Sequence, residues 1–226
     1  MTDYADTRAR VEDYFDRTAT RTWERLTSDA PVSRVRATVR AGRDRMRALM
    51  LSRLPEDLRG ARILDAGCGA GQMTAALAAR GADVVAVDIA PRLIEIAAAR
   101  LPEAHRARVR FATGDMLAED LGQFDHVLAM DSLIYYRAPD IAQSLSRLSR
   151  RTASGIVFTV APRTGLLMAM WNVGKLFPRA DRAPVMVPHS PVRLAEALRQ
   201  CSDWRLAPVG RVTQGFYISQ CLEVRP

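Results

Sequence analysis

The sequence predicts an α/β fold: a Rossmann-like, mainly parallel sheet of seven strands with helices on both faces and a β-hairpin at the C-terminal end. Three observations carry that prediction. The run Ile63-Leu64-Asp65-Ala66-Gly67-Cys68-Gly69-Ala70-Gly71 reads as a buried strand ending in an acidic residue and a glycine-rich turn. Short β-branched runs then alternate with helical patterns through most of the chain, as parallel strands joined by crossover helices do. Last, Trp204–Val209 and Gly215–Val224 follow one another as strands with no helix between them, so they pair as a hairpin.

The elements follow in order. Residues 1–45 form an N-terminal helical arm or lid that carries Tyr14, Phe15 and Trp23 and lies outside a minimal nucleotide-binding core. From Arg34 to Arg53 the arginines Arg34, Arg36, Arg40, Arg43, Arg45, Arg47 and Arg53 meet one acid, Asp44. Val32, Val35, Val39, Met46 and Leu49 recur there at near-helical spacing, which makes a basic amphipathic helix. Its charged face reads as a solvated surface or as a site for an acidic substrate, anionic lipid or nucleic acid. Residues 46–226 form the main domain. Ala82–Val87 is a second strand ending at Asp88, Val109–Ala112 a third leading into Gly114-Asp115-Met116, and Phe124–Met130 a fourth. Asp140–Arg151 is a helix with Ile141, Leu145 and Leu148 on one face, and Gly155–Val160 is the fifth strand. A segment at about 161–190 is inserted before the last helix. It holds Leu166, Leu167, Met168, Met170, Trp171, Val173, Leu176 and Phe177 among Arg163, Lys175, Arg179 and Arg182. Such a stretch reads as a core helix, as a lid over a large flat apolar substrate, or as a membrane-surface helix. Arm and insert both belong over the C-terminal ends of the strands, the edge at which open α/β sheets bind ligands.

At 226 residues and 48% apolar, the chain buries one substantial core, and one domain with added segments is the economical reading. Cys68, Cys201 and Cys221 form no C-x-x-C pair, and no charged-then-apolar leader opens the chain. A reduced, cytoplasmic protein without a metal site of its own is therefore expected. No apolar run approaches bilayer length, which restricts membrane contact to a peripheral one. The formal net charge of +8 favours acidic partners, but no nucleic-acid motif accompanies it, and a monomer that binds no nucleic acid is expected.

The glycine spacing decides what the turn holds. A dinucleotide fingerprint, G-x-G-x-x-G, needs its third glycine at position 72; Gln72 stands there and the third glycine is Gly71. With Asp65 two residues ahead of it, this G-x-G-x-G pattern resembles the first motif of class I S-adenosylmethionine-dependent methyltransferases. The resemblance implies a turn, Asp65 to Gly71 with Ala66, Gly67 and Gly69, that wraps the methionine part of the cofactor. The acidic residue and the backbone amides would satisfy its ammonium and carboxylate, one each. Asp88 lies about twenty residues on, where a nucleotide-binding unit places a carboxylate for ribose hydroxyls. In the methyltransferase family an acidic residue at the position of Asp115 takes the adenine amino group, and its neighbour, here Met116, covers the ring. Taken singly, Asp88 and Asp115 read first as solvated loop acids; as a set at these spacings the order reverses, and three strand ends point at one ligand. Arg40, Ile89 and Met130 complete the expected cofactor set.

Further motifs narrow the resemblance. Tyr14-Phe15-Asp16-Arg17-Thr18-Ala19, Trp23-Glu24-Arg25-Leu26, Val39-Arg40-Ala41-Gly42-Arg43, Asp131-Ser132-Leu133-Ile134-Tyr135-Tyr136, Leu176-Phe177-Pro178 and Gly215-Phe216-Tyr217-Ile218-Ser219 resemble the magnesium-protoporphyrin IX methyltransferases, in the form found in purple phototrophic bacteria. The similarity covers nearly the whole chain, and its first and last motifs lie outside the shared cofactor core. It implies methyl transfer from S-adenosylmethionine to one propionate of magnesium-protoporphyrin IX in bacteriochlorophyll biosynthesis, with magnesium present only as part of the porphyrin. It also brings in a magnesium chelatase porphyrin-binding subunit as a partner and the photosynthetic membrane as a peripheral surface. Arg40 matches an N-terminal motif and is expected at the cofactor's carboxylate. Where oxygenic relatives have a tyrosine and a histidine, this chain has Thr27 and Tyr135. Tyr135, Tyr136 and His189 are the catalytic candidates, although His189 reads first as a satisfied structural histidine. Three other classes stay open: an O-methyltransferase of a phenol or quinone precursor, a nucleic-acid methyltransferase, and a non-catalytic cofactor-binding or porphyrin-carrier protein.

Overall fold

The strands that carry the three predicted ligand contacts lie side by side. In the computed structural model, which describes residues 4–15, 33–163, 165 and 184–226, the chain runs α1 (Tyr4–Tyr14), α2 (Arg34–Leu51), β1 (Arg62–Ala66), α3 (Gln72–Ala79), β2 (Asp83–Asp88), α4 (Pro91–Arg100), β3 (Val109–Thr113) and β4 (Phe124–Ala129). It continues through α5 (Ala138–Ser149), β5 (Thr152–Pro162), β6 (Pro188–His189), α6 (Pro191–Arg199), β7 (Arg205–Gln214) and β8 (Tyr217–Arg225). Seven strands form one sheet in the order β3-β2-β1-β4-β5-β8-β7, and the two-residue β6 pairs with the end of β5. The first five are parallel, while β8 runs antiparallel to both β5 and β7. The strand order turns back between β1 and β4. A crevice opens at that switch point, above the carboxyl ends of the strands.

Alternation along the strands explains the two apolar layers. In β1, Ile63 faces one layer with Met46, Met50, Met73 and Leu77, and Leu64 faces the other with Ile141, Leu145, Phe158 and Leu194. In β2, Val84 and Ala86 join the first layer and Val85 and Val87 the second, as a period of two requires. Fully buried Leu side chains such as Leu64 and Leu128 each contribute about 1.5–3 kcal/mol relative to an exposed state. Helices α4, α5 and α6 each carry a proline in the first turn, where its missing N–H has no partner to lose.

The predicted elements are present, with shifted limits. Strand β7 extends to Gln214 through an irregularity between Pro208 and Gly210, and that break hides its second half from a search for alternation. In α2 the buried face is Gly42, Met46 and Met50, whereas Val35 is 49% exposed, which corrects its expected place on the apolar face. Helix α2 runs unbroken through residue 45, so the expected limit between arm and domain falls inside it. Its C-terminal half is core and its N-terminal turns are exposed. Trp23, Thr27 and the apolar run from Leu166 to Phe177 lie outside the described residues. Among those described, no helix is long and apolar enough to cross a membrane, and no group of His, Cys, Asp and Glu is arranged to hold a metal.

Candidate active site

A cavity of about 890 Å³, its open mouth included, lies over the ends of β1, β2 and β4. Its floor is the glycine turn. Gly67, Gly69 and Gly71 have φ of +78°, +54° and +83°, the region that residues with a Cβ enter only with strain. The turn is stitched to the end of β2: Gly67 N and Cys68 N donate to Val87 O at 2.8 and 3.0 Å, and Gly69 N donates to Asp88 Oδ2 at 2.8 Å. Asp88 Oδ1 accepts from Ala90 N at 2.9 Å. Burial pushes the Asp88 carboxyl up, and these N–H donors oppose the shift. Beneath the turn Asp65 is 1% exposed and accepts from Thr74 Oγ1 at 2.6 Å. Burial is the main force raising its pKa to about 7; Asp88 adds to the shift and Thr74 opposes it.

The opposite wall comes from the segment after β4 and from three other elements. Asp131 has φ +57°, the single positive φ among described residues other than glycine, at a cost of about 1–3 kcal/mol. Its N–H donates to Thr159 Oγ1 at 2.8 Å, and that hydroxyl donates back to Asp131 Oδ1 at 3.1 Å. Tyr217 OH from β8 donates to Oδ1 at 3.1 Å, and Arg43 of α2 forms an ion pair with Oδ2. Helix α2 approaches so closely that a Cβ on Gly42 would lie 2.6 Å from the Tyr217 ring. Gly42→Ala is therefore expected to cost about 1–3 kcal/mol, read as a lower denaturation midpoint, because overpacking cannot be relieved without moving Tyr217 off Asp131. Beside Asp131, Ser132 Oγ is buried and has no hydrogen-bond partner among the described residues.

Helix α1 closes the cavity from above. Tyr4, Val11 and Phe15 line it. Tyr4 stacks on Tyr136 at 4.9 Å between centroids, and Phe15 meets the edge of Tyr135 at 6.4 Å. Burial raises the phenols of Tyr4, Tyr135 and Tyr136 above their ordinary value, so all three remain O–H donors at neutral pH.

A glycine-floored cavity at the switch point of an open α/β sheet marks a ligand site without naming the protein; whole-chain similarity does that. The chain is 62% identical over 225 residues to the magnesium-protoporphyrin O-methyltransferase of Rhodobacter capsulatus, covering 99% of both chains. The chain belongs to the magnesium-protoporphyrin O-methyltransferase family. Residues 129–226 match the magnesium-protoporphyrin IX methyltransferase C-terminus, and residues 63–155 match a general methyltransferase domain. The Synechocystis magnesium-protoporphyrin O-methyltransferase is 29% identical over 99% of this chain and 98% of its own. The crystal structure of the Synechocystis magnesium protoporphyrin IX methyltransferase with bound SAH superposes with a TM-score of 0.80, at 29% identity, over 96% of this chain and 99% of that one. The fold is that of the class I methyltransferases.

Within this member of the magnesium-protoporphyrin O-methyltransferase family, the structure brings together Asp65, Gly67, Gly69, Asp88, Ile89, Met116, Met130, Tyr135 and Tyr136 as lining of one cavity. Five expected residues lie elsewhere. Ala66 is fully buried in the sheet. Gly71 makes room for α4: a Cβ there would sit 2.9 Å from that of Ala97. Asp115 accepts from Tyr4 OH at 2.7 Å and Leu117 N at 2.9 Å on one oxygen and from Arg8 Nη1 at 2.7 Å on the other. It anchors α1, and Gly114 and Met116 on either side line the cavity in its place. Arg43 and Arg47, one and two turns beyond Arg40, are the arginines of α2 among the residues that line the cavity, and Arg40 is not. His189 is 5% exposed, with Nε2 at 2.9 Å from Tyr136 O, a contact that ties it to the Tyr135-Tyr136 segment; burial lowers its pKa. Sequence reasoning missed Arg43, Arg47, Tyr4, Asp131, Ser132 and Tyr217 as site residues. Most of them lie in or beside quoted motifs, but spacing along the chain gives no sign that those motifs meet.

Proposed function

We propose that the chain transfers the methyl group of S-adenosylmethionine to a propionate of magnesium-protoporphyrin IX, giving the monomethyl ester and S-adenosylhomocysteine, in bacteriochlorophyll biosynthesis. The observation that carries this reading is the 62% identity spanning 99% of both chains to a protein of that activity. The cavity fits the donor. Buried Asp65 faces no cation among the described residues and suits an ammonium, Asp88 keeps lone pairs for hydroxyls beyond its two backbone bonds, and Ile89, Leu93 and Met116 give an apolar slot for a purine ring. Arg47, at the same wall, suits the methionyl carboxylate. When bound, S-adenosylmethionine supplies an electrophilic methyl on a sulfonium.

The residues of the chain then have a limited task. A propionate titrates near about 4.3, so the nucleophile arrives ionised and no general base is needed. The buried, paired His189 is consistent with that. Protonated Tyr135 and Tyr136 donate hydrogen bonds or cover the macrocycle, and α1 excludes water from the reacting atoms. In this reading the enzyme is a cytoplasmic monomer that touches the photosynthetic membrane and the porphyrin-binding subunit of magnesium chelatase from the exposed basic end of α2, at Arg34 and Arg36. Such contact weakens steeply with salt.

The test is an assay of purified protein with methyl-labelled S-adenosylmethionine and, in parallel, magnesium-protoporphyrin IX, a phenol, a quinone precursor and RNA. Base-labile label in the porphyrin alone is the expected result. Label in the phenol or quinone precursor would place the chain among small-molecule O-methyltransferases, and label in none would make it a binding protein.

A further inference from the structure

Two consecutive residues after β4 each carry an energetic cost. Asp131 has φ +57°, and Ser132 Oγ is buried without a hydrogen-bond partner among the described residues. Costs of this kind persist where the surroundings over-determine them, and they gather where a ligand is held. Here the surroundings act from two sides. On one, Asp131 is fixed by three elements: its N–H donates to Thr159 Oγ1 of β5 at 2.8 Å, its Oδ1 accepts from that hydroxyl and from Tyr217 OH of β8, both at 3.1 Å, and Arg43 of α2 pairs with Oδ2. On the other, Ser132 presses on the glycine turn, so closely that a Cβ on Gly67 would lie 2.4 Å from Ser132 Cβ. Gly67 and Ser132 both line the cavity. We infer that Tyr217 and Thr159 are positioning residues for the methyl donor: by fixing Asp131 they hold Ser132 against Gly67, and so set the turn that receives the donor's methionyl part.

The inference rests on the reading of this cavity as the site of S-adenosylmethionine. On the β2 side the turn is held by hydrogen bonds, from Gly67 N and Cys68 N to Val87 O and from Gly69 N to Asp88 Oδ2. Glycines at 67, 69 and 71 make its backbone easy to deform elsewhere, because glycine has more conformational freedom to lose than any other residue. Ser132 Cβ is the stop on the β4 side. Asp131 cannot leave φ +57° for a commoner region without breaking its bonds to Thr159 and Tyr217, so partners 28 and 86 residues away in sequence fix where Ser132 stands. Tyr217 is seated in its turn by α2, whose Gly42 lets the helix backbone lie on the ring: a Cβ there would be 2.6 Å from Tyr217 Cδ1. Packed atoms and hydrogen bonds thus run without a gap from the C-terminal hairpin to the floor of the cavity, and the two can be coupled in free energy.

Calorimetric titration of the full chain with SAH tests the coupling. Tyr217→Phe keeps the ring on Gly42 and removes its hydroxyl; Thr159→Val keeps the side-chain shape and removes the other. Each raises the SAH dissociation constant about fivefold, within the range for coupling through packed side chains, and raises KM for S-adenosylmethionine by more than KM for the porphyrin. Thr159→Ser keeps the hydroxyl and restores most of the affinity. Ser132→Gly removes the Cβ that meets the turn and weakens SAH by a similar factor, more than Ser132→Ala, which keeps that atom. The deciding measurement is the double variant. On the Ser132→Gly background Tyr217→Phe adds less than about twofold, because the contact through which Tyr217 acts is gone. Near-UV circular dichroism shows that each variant is folded, and if Thr159→Val is not, the Tyr217–Ser132 cycle decides without it. Losses that multiply in the double variant, unchanged SAH binding in Tyr217→Phe, or equal losses in Ser132→Ala and Ser132→Gly overturn the inference. A wild-type chain that binds neither SAH nor S-adenosylmethionine overturns the reading of the cavity itself.

Discussion

Replacing Asp65 by Asn lowers the affinity for S-adenosylmethionine by more than about a hundredfold and, at pH 8, raises the melting temperature of the empty enzyme. Both effects come from one buried carboxyl. Its pKa in the folded chain is about 7, mainly through burial, against 3.8 for an unperturbed aspartate. The folded state thus binds a proton that the unfolded chain has already released between those values. Stability contributed at this site falls as the pH rises through that window and stays low above 7. An amide carries no charge to desolvate and still accepts from Thr74, so the variant escapes a penalty on the order of a few kcal/mol. What it loses is an anion for the cofactor's ammonium, and losing one partner of a buried charge pair costs about 3–5 kcal/mol. The pH dependence of binding checks the assignment. Below pH 7 the wild-type carboxyl must give up its proton to pair with the ammonium, so the dissociation constant rises toward tenfold per pH unit, and Asp65→Asn abolishes that slope. Calorimetric titration with SAH between pH 5.5 and 8.5 measures it. A slope that persists in the variant would assign the ammonium to another group.

Gly67→Ala is expected to remove cofactor binding and to destabilise the fold by about 2–6 kcal/mol, a large share of the roughly 5–15 kcal/mol of a typical domain. Two costs add. At φ +78° a Cβ brings left-handed strain of about 1–3 kcal/mol. That Cβ would also lie 2.4 Å from the Cβ of Ser132, and overpacking costs a further 1–3 kcal/mol or so. Gly60 separates them. It has almost the same φ, +79°, with no atom within 4 Å of a Cβ built there. Gly60→Ala should therefore show the strain alone, about 1–2 kcal/mol, with cofactor affinity intact. Urea denaturation and SAH calorimetry on the two variants read the difference. Equal losses in both would mean that the approach of Ser132 to the glycine turn plays no part.

The glycine-turn side of the cavity was legible in the sequence because its parts are local. A strand, a glycine turn and a helix occupy consecutive residues, and the sheet register then places Asp65, Asp88 and Met116 at neighbouring strand ends by simple geometry. Asp115 shows the limit of that reasoning. Its position along the chain is the one expected, yet its carboxylate is taken up by Tyr4 and Arg8, more than a hundred residues away. Arg40, which is not among the residues lining the cavity, is a related case. Helical spacing marks a basic face, but which turn of that face meets the cavity depends on where Met46 and Met50 seat the helix on the sheet.

The sequence by itself determined the class of fold, the type of donor and, through motifs at both ends of the chain, the family. Those properties follow from local patterns of apolar spacing and glycine placement. Tertiary structure alone decided which arginines of α2 line the cavity, that His189 contacts Tyr136, and that Gly42, Arg43, Asp131, Thr159 and Tyr217 form one cluster. Contacts between α2, β4, β5 and β8 create that cluster, and side chains brought together by packing leave no periodicity in the chain that carries them.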